Sequence, residues 1–220
     1  MRIGLLLGVV ALFAIGGSAT PLRVASAGPI TCESLVQVPL ANGTLVSAES
    51  VQAGAFTPPG QVNAAAATAF KTLPAFCRVT GRLTPTPDSY IRIEVWLPLS
   101  GWNRKVQAAG NGGLGGTIPY PALAAAVRAG YATAGTDTGH VGGNGDFVPG
   151  HPEKLVDFAY RAIHEMTVTA KTVVTAHYDA RPTRSYFNSC STGGRQALIE
   201  AQRYPQDFDG IVAEIGRAHV

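Results

Sequence analysis

Apolar and polar positions along the middle of the chain predict strands and helices in alternation. In residues 90–98, YIRIEVWLP, apolar and polar side chains alternate, which is typical of a strand with one covered face. Residues 105–109 are predicted to form its neighbouring strand. A helix is expected over 122–129, ended by Gly130, and the pattern YATAGTD of residues 131–137 indicates a buried strand. This region therefore follows the order strand, helix, strand.

The longest periodic segment, residues 152–178, predicts a helix that lies on a sheet. Pro152 suits its first turn, and the pair Arg181-Pro182 suits its end. The positions that recur at three- and four-residue steps along one side are Leu155, Phe158, Ala159, Ala162, Met166, Ala170, Val173 and His177.

Three further elements are expected after this helix: a strand over 184–190, a helix over 192–203 and a strand over 209–213. Nearer the amino terminus, residues 30–57 are assigned to small strands and loops, and residues 61–73 to a short alanine-rich helix. Because strands alternate with helices, the predicted fold class is α/β, with a mostly parallel sheet and helices on both faces.

The amino terminus has the pattern of a secretory signal peptide over residues 1–27. A methionine and an arginine precede an apolar run over residues 3–15, and small residues then offer cleavage after Ala19 or after Ala27. The alternative, a membrane anchor, is disfavoured because a spanning helix needs about 20 apolar residues, and a proline and an arginine follow closely. We therefore expect the mature chain to be secreted or periplasmic.

Composition and charge narrow the possible classes of protein. The 220 residues are 46% hydrophobic and 14% charged, as in an ordinary globular protein. The net charge of +3 is too small and too scattered to suggest a nucleic-acid or membrane-surface partner. No internal repeat is present, so one domain over residues 28–213 is the simplest interpretation, followed by an atypical tail, 214–220.

Export changes the meaning of the three cysteines, because an oxidising compartment lets thiols pair. Cys32 and Cys77 are a plausible disulfide. A zinc site is poorly supported, since the spacings are long and no CxxC pair occurs. Cys190 is then left without a partner.

The sequence SCSTGG, residues 189–194, lies between a predicted strand and a predicted helix and is the strongest chemical signal in the chain. A serine on such a tight turn raises its hydroxyl above the sheet edge, while free N–H groups at the start of the helix face a developing oxyanion. Ser191 is therefore a candidate nucleophile. Gly193 suits a strained turn, although Ser189 stands where the GxSxG pattern has glycine. The alternative for Ser191 is a helix N-cap.

Three segments together resemble the tannase and feruloyl esterase family of α/β hydrolases: CSTGGRQALIEAQRYPQDFDGIVA (190–213), GYATAGTDTGH (130–140) and DFAYRAIHEMTVTAK (157–171). The resemblance extends over about residues 32–213. It implies the α/β-hydrolase fold and a Ser-His-Asp hydrolase whose partner is a small aromatic ester, of galloyl or feruloyl type. It also implies that Cys190 is bridged to a cysteine beside the catalytic histidine, and that cysteine is not in this chain.

In the mechanism that the resemblance implies, a histidine takes the Ser191 proton and the serine oxygen attacks the ester carbonyl. The expected oxyanion donors are the N–H of Thr192 and one N–H from the loop NGGLGG, that of Gly112 or Gly113, since this loop follows a strand. The alternative for the loop, a dinucleotide-binding turn, is disfavoured because its glycines do not follow GxGxxG.

The catalytic acid and histidine are expected outside this chain, because in α/β hydrolases both follow the serine on loops beyond later strands. The chain is therefore interpreted as an amino-terminal fragment that lacks the lid domain of the family and is inactive by itself. No cofactor or metal ligand set is expected here, although the absent lid binds calcium in many members. The carboxylates and the histidine that follow Ser191 are Glu200, Asp207, Asp209, Glu214 and His219.

Other polar residues are assigned structural roles. Asp137 is predicted to serve a turn or an N-cap, and Arg195 to form an ion pair within the fold. The histidines expected to be structural or exposed, rather than metal ligands or bases, are His140, His151, His164 and His177.

Two functions remain open. The first is a secreted carboxylic-ester hydrolase. The second is a noncatalytic secreted binding protein that keeps the hydrolase scaffold, which the absence of the acid and the histidine suits equally well.

Overall fold

The computed structural model describes residues 28–60 and 64–214, which form one mixed sheet with helices on both faces. The interpretation of residues 1–27 as a signal peptide lies outside the described residues, as do His219 and most of the tail. The strands are β1 (Gly43–Val51), β2 (Phe76–Leu83), β3 (Ile91–Pro98), β4 (Lys105–Ala109), β5 (Ala132–Thr136), β6 (Arg184–Cys190) and β7 (Gly210–Glu214). The α-helices are α1 (Ala64–Phe70), α2 (Tyr120–Arg128), α3 (Pro152–Val156), α4 (Ala162–Tyr178) and α5 (Thr192–Arg203).

The seven described strands are arranged in the order β1-β2-β3-β5-β4-β6-β7. The β4, β5, β6 and β7 strands are parallel, whereas β1, β2 and β3 join them through antiparallel pairs. Five of the seven strands therefore run in one direction. The carboxyl ends of the parallel strands meet at one edge of the sheet, which is called the carboxyl edge below.

Two apolar clusters fill the spaces on the two sides of the sheet. On one side α4 and α5 pack on the strands, with Met166 and Phe187 completely buried. On the other side α1 and α2 cover an aromatic group that includes Phe76 and Trp96, whose rings are stacked at 4.4 Å. Cover on both faces is what a parallel sheet requires, and it agrees with β5, in which every residue is buried.

The disulfide prediction is confirmed, since Cys32 and Cys77 are bonded. The bond connects the chain just before a short 3-10 helix, Glu33–Gln37, to the buried strand β2. Cys190 is an exposed free thiol at the end of β6. In the part of the chain that is described, no helix has the length and apolar character needed to cross a membrane.

The predicted long helix exists but changes its pitch. It begins with α3 and ends with α4, and the intervening segment Asp157–Arg161 is a π-helix. Pro152 lies in the first turn, as predicted. Leu155 was predicted on the buried side but is 45% exposed, because the wider turn that follows shifts the phase of the helix.

Two predictions about the strands are wrong. The β4 strand is not the neighbour of β3, because β5 inserts between them and pairs with both. The β3 strand is also covered on both faces, since every residue from Ile93 to Pro98 is buried. The β2 strand, which forms the antiparallel partner of β3, was not predicted from the sequence.

Candidate active site

Ser191 lies on the turn between β6 and α5, at the carboxyl edge of the sheet, and is exposed. Its backbone has φ 59° and ψ −122°, a region that residues other than glycine rarely adopt. The turn is fixed at both sides, because the Ser191 N–H donates to the Glu214 carbonyl at 2.7 Å and the Ser191 carbonyl accepts from the Arg195 N–H at 3.1 Å. The side chain is therefore held outward by a strained but well-supported backbone.

Three small residues allow this turn to form against the neighbouring loop. A Cβ placed on Gly193 would overlap the Ser189 side chain, and a Cβ placed on Gly110 would lie 2.8 Å from both the Ser189 Oγ and the Gly193 Cα. The backbone of the loop after β4 therefore lies so close to the first turn of α5 that neither glycine has room for a side chain. Ser189, at the position of a glycine in GxSxG, occupies the remaining space.

The expected oxyanion donors are brought next to each other. Thr192 is the first residue of α5, where the backbone N–H has no acceptor within the helix. The Thr192 hydroxyl donates to the carbonyl of Gly113, which attaches the glycine loop to the start of the helix. Gly112 and Gly113 are exposed, and Gly113 has φ 56°, which favours glycine. The start of α5, directly after Ser191, is therefore in contact with the exposed glycine loop.

A buried pair of amide side chains, missed by the sequence analysis, joins this loop to α5. The Asn111 N–H donates to Gln196 Oε1 at 3.0 Å, and Gln196 Nε2 donates to Asn111 Oδ1 at 3.0 Å. Asn111 Nδ2 also donates to the carbonyls of Thr117 and Thr136, at 2.9 and 2.8 Å. The Asn111 carbonyl accepts from the Gly193 N–H at 2.8 Å. A polar residue on the apolar side of α5 was the signal that could have revealed this network.

His140 fixes the far end of the glycine loop rather than serving as a base. Its Nε2 accepts from the Gly116 N–H at 3.2 Å, which requires that nitrogen to be unprotonated. The ring is 6% exposed and is stacked on Phe147 at 3.8 Å. The structural role predicted for His140 agrees with these contacts.

Arg195 does not form the predicted ion pair, since no described carboxylate lies within reach of it. Its guanidinium instead donates to the carbonyls of Ala159 and Phe158, at 2.7 and 3.2 Å, and lies 4.8 Å from the Phe158 ring centroid. Both carbonyls belong to the π-helical segment, whose wide turn leaves acceptors available. Burial lowers the pKa of this guanidinium.

The described carboxylates that follow Ser191 do not form a catalytic pair beside it. Asp207 accepts from His164 Nδ1 at 2.7 Å, and this contact raises the pKa of His164. Asp207 precedes β7, however, so the length of α5, about 18 Å, separates it from Ser191. Asp209 accepts from the Ser185 N–H at 2.7 Å, as a turn residue does.

The other polar candidates also have structural partners. Asp137 accepts from the Gly139 N–H at 2.9 Å, the turn role that was predicted, and forms an ion pair with Arg92 at 2.6 Å. Within residues 28–60 and 64–214, no group of three or more histidine, cysteine or acidic side chains could hold a metal ion.

Comparison with known proteins agrees with the resemblance. Residues 77–219 match the model of the family described as tannase and feruloyl esterase. An uncharacterized esterase of Xanthomonas campestris pv. campestris is 43% identical over 205 residues, which cover 92% of this chain and 34% of that protein. Feruloyl esterase B of Aspergillus niger is 37% identical over 177 residues, which cover 80% of this chain and 34% of that protein.

The crystal structure of feruloyl esterase B from Aspergillus oryzae superposes with a TM-score of 0.74 at 37% identity, over 83% of this chain and 36% of that one. The predicted α/β-hydrolase fold class is thereby confirmed. The chain spans about a third of the length of these three relatives. Because the family model matches most of the chain, the protein belongs to the tannase and feruloyl esterase family.

Proposed function

We propose that this chain is the amino-terminal part of a secreted serine hydrolase that cleaves carboxylic esters of aromatic acids, of feruloyl or galloyl type. One observation carries the proposal: Ser191 is exposed at φ 59° on the turn between β6 and α5, beside a glycine loop. Such a backbone costs about 1–3 kcal/mol, and strain of this kind concentrates at functional sites. An ordinary N-cap does not need it, since N-cap residues adopt common extended angles.

In the proposed reaction the Ser191 Oγ attacks the ester carbonyl, and its proton passes to a histidine supplied by the rest of the protein. The carbonyl oxygen becomes an oxyanion, which accepts from the N–H of Thr192 and from that of Gly112 or Gly113. Collapse of this intermediate breaks the bond to the alcohol, which leaves with the proton. Water then attacks the acyl-enzyme, the aromatic acid departs, and the proton returns to Ser191.

The hydrogen bonds around the oxyanion loop support this proposal, because donors stabilise a transition state best when they are fixed beforehand. The loop is attached to α5 by the Asn111–Gln196 pair and by the Thr192 hydroxyl. Removal of one oxyanion donor lowers kcat by about 100- to 1000-fold in other serine hydrolases. We attribute a contribution of that order to each proposed donor.

Secretion and a second disulfide are part of the proposal. Disulfides such as Cys32–Cys77 form in an oxidising compartment. A signal peptide over residues 1–27 would direct the chain to such a compartment. Cys190 is exposed directly before Ser191, where it can pair with a cysteine beyond this chain. Such a bond would hold the histidine near Ser191. The 220-residue chain alone is accordingly expected to be inactive.

The test uses the protein expressed from its complete coding sequence, with methyl ferulate, methyl gallate and p-nitrophenyl acetate as substrates. We expect the Ser191→Ala variant to lose at least about 1000-fold in kcat for every substrate that the wild type hydrolyses. A fluorophosphonate should label the wild type and not the variant. Equal hydrolysis by both proteins would exclude Ser191 as the nucleophile. No hydrolysis and no labelling of the folded wild type would favour the noncatalytic binding protein.

A further inference from the structure

A second concave site lies on the antiparallel side of the sheet. It is a cavity of about 560 Å³ that is floored by β2 and β3 and bordered by the segment that follows the glycine loop. Its polar lining includes Arg82, Arg92 and Tyr90 together with the ion pair of Arg78 and Glu94, in which the acidic charge is already neutralised. Its apolar lining includes Ile118 and Val141. The cavity therefore combines cationic groups with apolar surface.

Two of these cations face each other in an unfavourable arrangement. Arg82 and Arg92 are direct partners in the antiparallel register of β2 and β3, so their side chains project from the same face. Like charges directly opposite each other destabilise a sheet. The ion pair of Arg92 with Asp137 offsets part of this repulsion, and a bound anion would relieve the remainder.

Both guanidiniums have N–H donors that no described group accepts from, and these donors are available to a ligand. Arg92 is held by Asp137, which accepts from its Nε at 2.6 Å, but no described group accepts from its two terminal nitrogens. Arg82 lies over the Tyr90 ring at 5.6 Å and has no hydrogen-bond acceptor in the described ranges. The planar fork of a guanidinium matches the two oxygen atoms of a carboxylate.

The topology places this cavity at the same sheet edge as Ser191. The β3 strand is antiparallel to β5, so its first residues lie at the carboxyl edge, and the last residues of β2 lie beside them. The β3 and β6 strands are three strand spacings apart, a distance of about 14 Å. The glycine loop links the two sites, because its Gly113 carbonyl accepts from the Thr192 hydroxyl and its last residue, Gly116, lines the cavity.

We propose that Arg82 and Arg92 form a carboxylate subsite, so that the preferred ester carries a free carboxylate at the far end of its alcohol. The inference rests on the proposed function, because Ser191 defines where the ester bond lies. The carboxylate accepts from both guanidiniums, and the apolar body of the alcohol lies along Ile118 and Val141. The subsite selects the ester by charge and does not take part in bond breaking.

The test compares two esters that differ in one charge: the feruloyl esters of 6-hydroxyhexanoate and of 6-hydroxyhexanamide. With the full-length wild type, we expect kcat/KM to favour the carboxylate by about 10- to 100-fold, mostly through KM. Arg82→Gln should remove most of this preference, chiefly by raising KM for the carboxylate ester. Arg82→Lys should retain part of it, because the charge remains and the fork is lost. Arg184→Gln, an exposed arginine at the opposite edge, is the control.

Stability separates a ligand site from a structural role. Without substrate, Arg82→Gln should unfold at the same temperature as the wild type or higher, because the repulsion with Arg92 is relieved. An unchanged preference in Arg82→Gln, or an equal loss in Arg184→Gln, would overturn the subsite. Failure to hydrolyse either ester, or hydrolysis that survives Ser191→Ala, would instead contradict the proposed function.

Discussion

The buried polar side chains at the two ends of α5 differ in their charge and in their hydrogen bonds. At the amino end, the side chains of Asn111 and Gln196 are uncharged, and their hydrogen bonds satisfy each other. At the carboxyl end, Glu200 is 1% exposed, and no described group donates a hydrogen bond to either of its carboxylate oxygens. Burial, together with the nearby charge of Asp207, raises the pKa of Glu200 to about 8.

Because of this difference, the geometry of the loop at the amino end does not depend on pH, whereas the carboxyl end makes the stability of the fold depend on pH. An amide pair does not titrate, so the loop beside Ser191 keeps one arrangement across the physiological range. A buried carboxyl with a raised pKa instead makes the stability of the fold depend on pH, since the folded and unfolded states bind different numbers of protons. We therefore expect substitutions at the amino end to affect activity, and substitutions at the carboxyl end to affect stability.

The largest effect is expected from Gly193→Ala, which disrupts the close packing at the amino end of α5. The new Cβ would overlap the Ser189 side chain, so the turn and the loop must separate. We expect kcat of the full-length protein to fall by at least about 100-fold, because small displacements of catalytic groups are costly. Overpacking should also lower the free energy of unfolding by about 1–3 kcal/mol.

A second substitution provides the control for this change. Ser189→Gly removes the atoms that the new Cβ would meet, so the double variant should recover much of the lost kcat. Normal activity of Gly193→Ala alone would show that the close approach of the two backbones is not required.

The second largest effect is expected from Gln196→Glu, which introduces a buried, titratable carboxyl at the amino end of α5. In Gln196→Glu, the protonated carboxyl can still accept from the Asn111 N–H and donate to Asn111 Oδ1. The ionised carboxylate instead faces that oxygen with another acceptor, and Asn111 cannot reverse its amide because Thr117 and Thr136 fix it. We expect kcat to be near normal at low pH and to fall about 10- to 100-fold as the introduced carboxyl ionises.

Gln196→Met is the matched control, because it cannot titrate and keeps a similar volume. It should lower kcat by a similar factor at every pH, since the Asn111 groups lose their partners. If the pH profile of Gln196→Glu equals that of the wild type, the amide pair does not position the loop.

The smallest effect is expected from Glu200→Gln, which removes the titrating group from the carboxyl end. The pKa of Glu200 is about 8 in the folded state against an ordinary value of 4.5, so the folded chain keeps a proton that the unfolded chain loses. The free energy of unfolding therefore falls as pH rises between these two values, by up to about 1.4 kcal/mol per pH unit.

In Glu200→Gln this slope should become shallower, and the variant should be more stable than the wild type by about 1–2 kcal/mol at pH 8. Urea unfolding of the chain between pH 5 and pH 8 measures both quantities. Activity of the full-length variant should be unchanged, because α5 separates this position from Ser191. Parallel pH profiles for the two proteins would show that Glu200 does not keep its proton in the folded state.

Local patterns predicted the elements of the site well. The bounds of β6 and α5 agree with the predicted ranges, 184–190 and 192–203, because the sequence between them is a turn of small residues. The Cys32–Cys77 bond was predicted from the number of cysteines and the inferred compartment. The strand β2 was missed, although its polar positions Arg78, Thr80 and Arg82 alternate with apolar ones.

Contacts between distant segments could not be predicted in the same way. The Asn111–Gln196 pair joins residues 85 positions apart, and the wrong neighbour for β4 arose because adjacency in the chain does not fix adjacency in a sheet. Arg195 was predicted to form an ion pair, but its guanidinium donates to backbone carbonyls of the π-helical segment instead. Each of these outcomes depends on which surfaces meet after the strands have been ordered.

The sequence by itself determined the α/β class, the position of Ser191 between a strand and a helix, and the resemblance to a family of esterases. These features follow from periodicity and from short motifs, whose physical causes act over a few residues. The tertiary structure alone decided how the glycine loop is fastened to α5 and that two arginines share one face at the carboxyl edge. Packing brings such groups together across long stretches of chain, and no local preference encodes their distance.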